Sequence, residues 1–166
     1  MLNPNISLYP DSVFPWTALN LEGIEYGVSE EIFMTGNRSL FIGNPDSVST
    51  RAGFWTQTYT GQMPVPGSSV ELTAFLKGEN IEDLTQGSSI GIFFQVLPRI
   101  DSKGNSHGIS ISSVNTIKLE GGFDWRLIRV AQDSFPVEAD NIEVRLIAPT
   151  LTSGRVYFDG ISLTAN

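Results

Sequence analysis

The chain contains no cysteine among its 166 residues. This excludes disulfide bonds, cysteine nucleophiles and cysteine-ligated metal sites. A chain of this length buries about 70% of the surface that its unfolded form exposes, so one hydrophobic core can stabilise it without cross-links. The length also fits a single domain that spans residues 1–166.

Basic residues are scarce, because 10 Lys and Arg stand against 18 Asp and Glu and give a net charge of −8. Proteins that bind nucleic acids or anionic membranes usually carry the opposite balance, with Lys and Arg clustered on one face. Charged residues make up only 17% of the chain. Such a surface is polar but weakly charged, which suits a neutral, polyhydroxylated ligand.

Long apolar runs are also missing, since no segment approaches the ~18–20 apolar residues that span a bilayer. The first residues, Met1–Pro4, show no basic region followed by an apolar segment, so no signal peptide is visible. Either the protein stays in the cell, or it is a domain of a longer secreted or surface chain. We expect the second, with an extracellular or cell-surface location.

Residues for catalysis are few. The single histidine, His107, lies in a glycine-rich stretch typical of an exposed loop, with no nucleophile elbow nearby. Paired carboxylates, which a glycosidase requires, occur at Glu30–Glu31, Glu82–Asp83 and Glu138/Asp140, all beside turn residues. We therefore expect that the protein is not an enzyme.

Short runs rich in β-forming residues and separated by Gly, Pro, Asn and Asp fill the chain instead. Stretches with any helical character are limited to residues 26–31 and 80–84. The predicted strands are Ser39–Ile42, Ala52–Thr60, Ser69–Lys77, Ser89–Leu97, Val114–Leu119, Trp125–Gln132, Asn141–Ala148 and Arg155–Leu163.

Alternation within these runs predicts which side chains form the core. Apolar residues at every second position are expected to face inward from three of the strands: Val70, Leu72, Ala74 and Leu76; Ile90, Ile92, Phe94 and Val96; Ile142, Val144, Leu146 and Ala148. Eight such strands predict an all-β, antiparallel jelly-roll sandwich.

Four stretches, in this order, resemble the carbohydrate-binding modules of the galactose-binding-like superfamily, the group that includes xylan- and β-glucan-binding modules. They are Asn3–Ile6 with Pro15-Trp16; Thr35–Leu40; Trp55–Gln57 with Val65–Gly67 and Val70–Leu72; and Trp125–Ile128 with Phe135–Val137 and Gly154–Leu163. The closing stretch is similar to the family's final strand, Gly-x-x-Phe-Asp-Asp-Ile-x-Leu. The resemblance covers nearly the whole chain and implies non-catalytic binding of a polysaccharide or oligosaccharide.

The resemblance also implies a structural calcium ion. By position, its ligands would come from Asp159, Asn5, Ser7, Thr35 and Arg38. The chain departs from the family pattern at Ser7, where the family has Glu, and at Gly160, where it has a second Asp. One carboxylate is a poor Ca²⁺ donor set, so the alternative is that loop amides satisfy Asp159.

A sugar site needs aromatic rings with polar groups beside them. If Phe54, Thr56 and Thr58 face inward, alternation places Trp55, Gln57 and Tyr59 together on the outer side of their strand. The other predicted contacts are Phe93, Gln95, Glu71 and Arg145. The reverse orientation of the Trp55 strand remains open, as does an edge-loop site that uses Trp16, Tyr26 and Phe33.

Two other functions are compatible with the same sequence. The chain would serve as a structural or protein–protein interaction domain if it lacked a sugar site. It would be a small jelly-roll enzyme if two carboxylates lay about 5–10 Å apart in a cleft.

Overall fold

The computed structural model describes residues 1–19, 21–45, 52–83, 90–98, 103–104, 109–114, 117–135, 139–148 and 152–165. All regular elements in these ranges are strands: β1 Thr17–Ala18, β2 Glu25–Ser29, β3 Ser39–Asn44, β4 Gly53–Thr58, β5 Val70–Asp83, β6 Gly91–Pro98, β7 Ile109–Ser112, β8 Gly121–Gln132, β9 Ala139–Ala148 and β10 Thr152–Ala165. Among the described residues, no helix is long and apolar enough to cross a membrane.

The strands form two antiparallel sheets of five. Sheet 1 has the order β1-β4-β9-β6-β7, and sheet 2 has the order β2-β3-β10-β5-β8. Neighbours in each sheet are far apart in sequence, as in β4 beside β9 and β3 beside β10. This arrangement confirms the predicted all-β jelly-roll sandwich.

Two short stretches that the sequence left as weak helical candidates are strands, and one strand prediction was wrong. The stretch 26–31, considered for a helix, contributes to β2, and residues 80–83 extend β5. The strand expected at Val114–Leu119 lies earlier, at β7, where it pairs with β6. In each case pairing with a neighbouring strand satisfies the backbone, and the local pattern does not report that pairing.

One hydrophobic cluster contains side chains from both sheets. The inward sets predicted for β5 and β9 are buried, and so are Ile90 and Ile92. Each buried Leu, Ile or Val contributes about 1.5–3 kcal/mol. The predicted inward residues Phe94 and Val96 have side chains outside the described part of the structure.

The orientation of β4 is the reverse of the one chosen for the sugar site. Trp55 is 6% exposed and Gln57 is 1% exposed, so both side chains point between the sheets. The Trp55 indole N–H donates to the Phe41 carbonyl at 3.0 Å. The Gln57 amide pairs with Leu2, accepting from its N–H at 3.0 Å and donating to its carbonyl at 2.9 Å.

These bonds explain the correction. Polar atoms on Trp55 and Gln57 suggested exposure, but backbone groups satisfy them inside the sandwich, so burial costs little. Phe54 and Thr56 are half-buried and Thr58 is exposed on the opposite side. Tyr59 lies beyond the end of β4 and packs against the edge of the core.

Hydrogen bonds to the Asp159 side chain connect β10 to the segment that precedes β3. Its carboxylate is fully buried and accepts four hydrogen bonds. Oδ2 accepts from the Met34 and Thr35 N–H groups at 2.8 and 2.6 Å, and Oδ1 accepts from the Gly160 N–H at 2.7 Å and the Thr35 hydroxyl at 3.2 Å. Burial raises the pKa of Asp159, and these donors oppose that shift.

Replacing Trp55 with Ala tests the orientation of β4. We expect Trp55→Ala to lower the free energy of unfolding by about 3–5 kcal/mol, because it opens a cavity in the core. Thr58→Ala, on the exposed side, should change stability by less than about 0.5 kcal/mol. Urea denaturation followed by circular dichroism measures both. Equal, small effects would contradict the inward orientation of Trp55.

Replacing Asp159 with Asn tests the fastening of β10. In either orientation of the new amide, its NH₂ group would face N–H donors. We therefore expect the free energy of unfolding, measured by urea denaturation, to fall by about 2–4 kcal/mol. The control Asp124→Asn removes an exposed carboxylate that bonds Lys77 and should leave the unfolding midpoint nearly unchanged. Similar midpoints for both variants would refute the role of Asp159.

Candidate functional site

The outer side of sheet 1 carries polar side chains that lie next to one another on neighbouring strands. Register pairs Thr56 with Arg145, and it pairs Glu143 with both Thr58 and Gln95. Directly paired residues on antiparallel neighbours point to the same side of a sheet. We call this surface the sheet 1 face and define it by Phe54, Thr56, Thr58, Gln95, Glu143 and Arg145.

Arg145 is at the centre of the sheet 1 face, on the middle strand. Its guanidinium carbon lies 4.8 Å from the centroid of the Phe54 ring, a cation–π distance. It also forms an ion pair with Glu143. The Arg145 and Glu143 side chains are 32% and 23% exposed, so both reach solvent while their neighbours restrict their motion.

Two polar side-chain atoms on this side of the sheet have no hydrogen-bond partner within the described residues. They are Thr56 Oγ1 and Asn141 Oδ1, and both are covered by neighbouring atoms. Asn141 shares the outward side with Glu143 because the two are two residues apart on β9. Buried polar atoms are usually paired, so these two leave hydrogen-bonding capacity unused beneath the sheet 1 face.

The residues that the sequence predicted to bind sugar therefore do not lie together in the structure. Gln95 and Arg145 lie on the sheet 1 face, whereas Trp55 and Gln57 point into the core and Tyr59 lies past the strand. The Phe93 Cα is paired with Arg145, but the Phe93 side chain is outside the described part of the structure.

Glu71 was wrongly grouped with the sugar site. It lies on β5 in sheet 2, where its carboxylate forms an ion pair with Arg129 on β8 at 2.5 Å. The sequence shows two strands with suitable residues but does not show that they belong to opposite sheets.

The alternative edge-loop site also lacks exposed aromatic rings at two of its three predicted positions. Trp16 is 3% exposed, and its indole N–H donates to the Asn3 carbonyl at 3.3 Å. Tyr26 packs against the core and contacts Trp55 edge to face. Phe33 alone of the three is exposed.

The residues predicted for calcium do not fit that ion. All four hydrogen bonds of the Asp159 carboxylate come from donors that occupy its lone pairs. Ser7 Oγ donates to the Asn5 carbonyl and accepts from the Asn37 N–H. Arg38 is buried, and its guanidinium donates to carbonyls of the N-terminal segment. Ca²⁺ needs six to eight oxygen ligands, so this donor-rich set with one carboxylate is unsuitable.

Sequence reasoning missed Phe54, Thr56, Thr58 and Glu143 as surface residues of the site. The alternation that it used along β4 was correct, but its phase was not determined. The described residues contain no group of three or more His, Cys, Asp or Glu side chains arranged to hold a metal. The groups that the sheet 1 face offers to a ligand are hydrogen-bond donors and acceptors, the Arg145 cation and the Phe54 ring.

The solved structures with similar folds include the following three. The chain of tailspike protein 4 from Bacteriophage CBA120, described as its enzymatically active domain, matches with TM-score 0.68 and 14% identity over 100% of this chain and 21% of that one. A cyclase from Fischerella sp. matches with TM-score 0.70 and 16% identity over 100% and 94%. The CBM22-1 xylan-binding domain of Paenibacillus barcinonensis Xyn10C matches with TM-score 0.53 and 15% identity over 90% and 85%.

No protein-family model and no curated protein sequence matches the chain. This chain spans about a fifth of the tailspike chain and most of the other two. At these identities the similarity shows the fold, and the neighbours include both a binding module and enzymes. The chain has the jelly-roll β-sandwich fold that carbohydrate-binding modules share.

Proposed function

We propose that this protein binds a carbohydrate chain without transforming it, and that the ligand lies on the sheet 1 face. The observation that carries the proposal is the Arg145 group. A guanidinium, a carboxylate from Glu143 and the Phe54 ring meet on the middle of an outward-facing, polar sheet surface. A domain of the same fold, described as xylan-binding, supports the ligand class.

The chemistry of a sugar fits this group of side chains. Neighbouring hydroxyls of a pyranose can accept from Arg145 and donate to Glu143. The C–H face of the ring can pack on the Phe54 side chain, which is half-buried and fixed in place. Thr56, Thr58 and Gln95 add neutral donors and acceptors along the paired rows.

The carboxylates support binding without catalysis. Glycoside hydrolysis by the common mechanism requires two carboxyl groups that flank the scissile bond. Among the side chains described on the sheet 1 face, Glu143 is the single carboxylate, and it is paired with Arg145. This supports assigning the face to recognition.

The proposed role is that of a module in a longer extracellular or cell-surface protein. Holding a polysaccharide raises the local concentration of whatever is attached to the module, without any new contact. The net charge of −8 favours neutral glycans over anionic ones as ligands.

Affinity electrophoresis in gels that contain xylan, β-glucan or mannan tests the proposal. We expect retardation of the native protein in at least one gel. Arg145→Ala and Phe54→Ala should each weaken that retention about tenfold or more, because each removes a bond or packing worth more than about 1.4 kcal/mol.

Arg129→Ala is the matched control, since Arg129 is also a strand arginine paired with a glutamate, but on sheet 2. We expect its retention to equal that of the native protein. Retention that survives both Arg145→Ala and Phe54→Ala would move the ligand away from the sheet 1 face. No retention in any gel would favour a structural or protein–protein interaction domain.

A further inference from the structure

A groove crosses the outer side of sheet 2. Three depressions of about 390, 520 and 580 Å³ follow one another across the five strands. Arg155 lines the first two, and Glu79 and Asn80 line the second and the third. Five strands about 4.8 Å apart make this surface, which we call the sheet 2 groove, about 19 Å long.

Glycines and strand irregularities produce the sheet 2 groove. The pairing of β10 with β5 shifts between Ser153 and Arg155, and the pairing of β5 with β8 shifts on both sides of Gly78. Gly154 has φ of 99°, and a Cβ there would lie 2.5 Å from the Asn80 carbonyl oxygen. Bulges of this kind redirect side chains and are frequent beside binding sites.

Asn80 adds a second irregularity at the same point. Its φ is 52°, in the left-handed region that few residues other than glycine adopt. Such backbone costs free energy and persists where the surroundings fix it, often at ligand sites. In this chain the unusual conformation is at the centre of the groove, where two depressions meet.

The polar side chains of the groove are held in place by one another. Arg155 pairs with Glu25 at 2.8 Å and lies 4.5 Å above the Phe41 ring. The Tyr157 hydroxyl donates to Glu79 at 2.9 Å. Burial raises the pKa of Tyr157 above its ordinary value. These bonds preorganise the groove for a ligand that exchanges hydrogen bonds with it.

Charge selects the class of ligand. In the central depression the carboxylates of Glu25 and Glu79 outnumber the Arg155 guanidinium. The Lys77 ammonium nearby is neutralised by Asp124 at 3.1 Å. A chain of uronic acids or sulfated sugars would meet net repulsion, whereas uncharged hydroxyls find both donors and acceptors.

We propose that the sheet 2 groove is a second carbohydrate site, which binds an extended, uncharged glycan chain across the strands. The ligand class rests on the proposed carbohydrate-binding function, but the surface is opposite the sheet 1 face and shares no residue with it. Two sites on opposite sides would let one module bridge two polysaccharide chains, with a gain in avidity.

The experiment uses Arg145→Ala as the background, so that the sheet 1 face is disabled. Hexasaccharides of β-1,4-linked xylose, glucose and mannose are titrated, and the ¹⁵N–¹H resonances of Gly43, Gly78 and Gly154 are followed. We expect at least one hexasaccharide to shift these resonances. Adding Gly43→Leu should weaken that binding more than about tenfold, because the new side chain would project between Glu25 and Arg155.

Thr73→Leu is the control, since it places a leucine on the outer side of β5 in the same sheet, outside the groove. It should leave the affinity within about twofold. Arg155→Ala gives a second groove variant if Gly43→Leu reduces stability, and it should also weaken binding. Oligogalacturonate, an acidic sugar chain, is titrated in the same way. The proposal would be overturned if no hexasaccharide shifted the glycine resonances, or if oligogalacturonate alone shifted them. Sheet 1 amide resonances, such as those of Thr56 and Gln95, that shift equally in the native protein and in Arg145→Ala would instead count against the sheet 1 face.

Discussion

The hydrogen bond from the Trp55 indole to the Phe41 carbonyl sets the orientation of β4, and much of the surface depends on it. The bond joins a strand of sheet 1 to a strand of sheet 2 through the core. Because side chains alternate along a strand, fixing Trp55 inward places Phe54 and Thr56 outward. Gln57 reinforces this choice by pairing with the backbone of Leu2. The sheet 1 face exists because these two polar side chains find partners inside the sandwich.

A second constraint joins the N-terminal segment, the residues before β3 and β10 through hydrogen bonds. Asp159 collects donors from the segment before β3, and buried Arg38 donates to carbonyls at the start of the chain. Asp159 supplies acceptors to N–H groups that precede β3, and Arg38 supplies donors to carbonyl groups near the start of the chain. This hydrogen-bonded closure occupies the position at which the family resemblance implied calcium.

Much of the architecture could be predicted from the sequence. The alternation in β5 and β9 identified their core residues, and turn residues separated most strands correctly. The position of β7 and the strand character of β2 could not be predicted, because both depend on partners distant in the chain. The candidate site was only partly predictable: the sequence named Arg145 and Gln95, which lie on the sheet 1 face, but the phase of β4 was reversed. A one-residue change of phase exchanges every inward and outward side chain, and composition does not reveal it.

The two outer faces of the sandwich, on which the two proposed sites lie, differ in construction. The sheet 1 face is nearly regular and centres on one cation–π pair, whereas the sheet 2 groove depends on bulges, glycines and an acidic lining. Hydrogen exchange of the Trp55 indole N–H, followed by NMR, tests the basis of this account most directly. Slow exchange, as for a buried donor bonded to Phe41, is the predicted result. Exchange as fast as that of an exposed tryptophan would contradict the orientation of β4 and the sheet 1 face built on it.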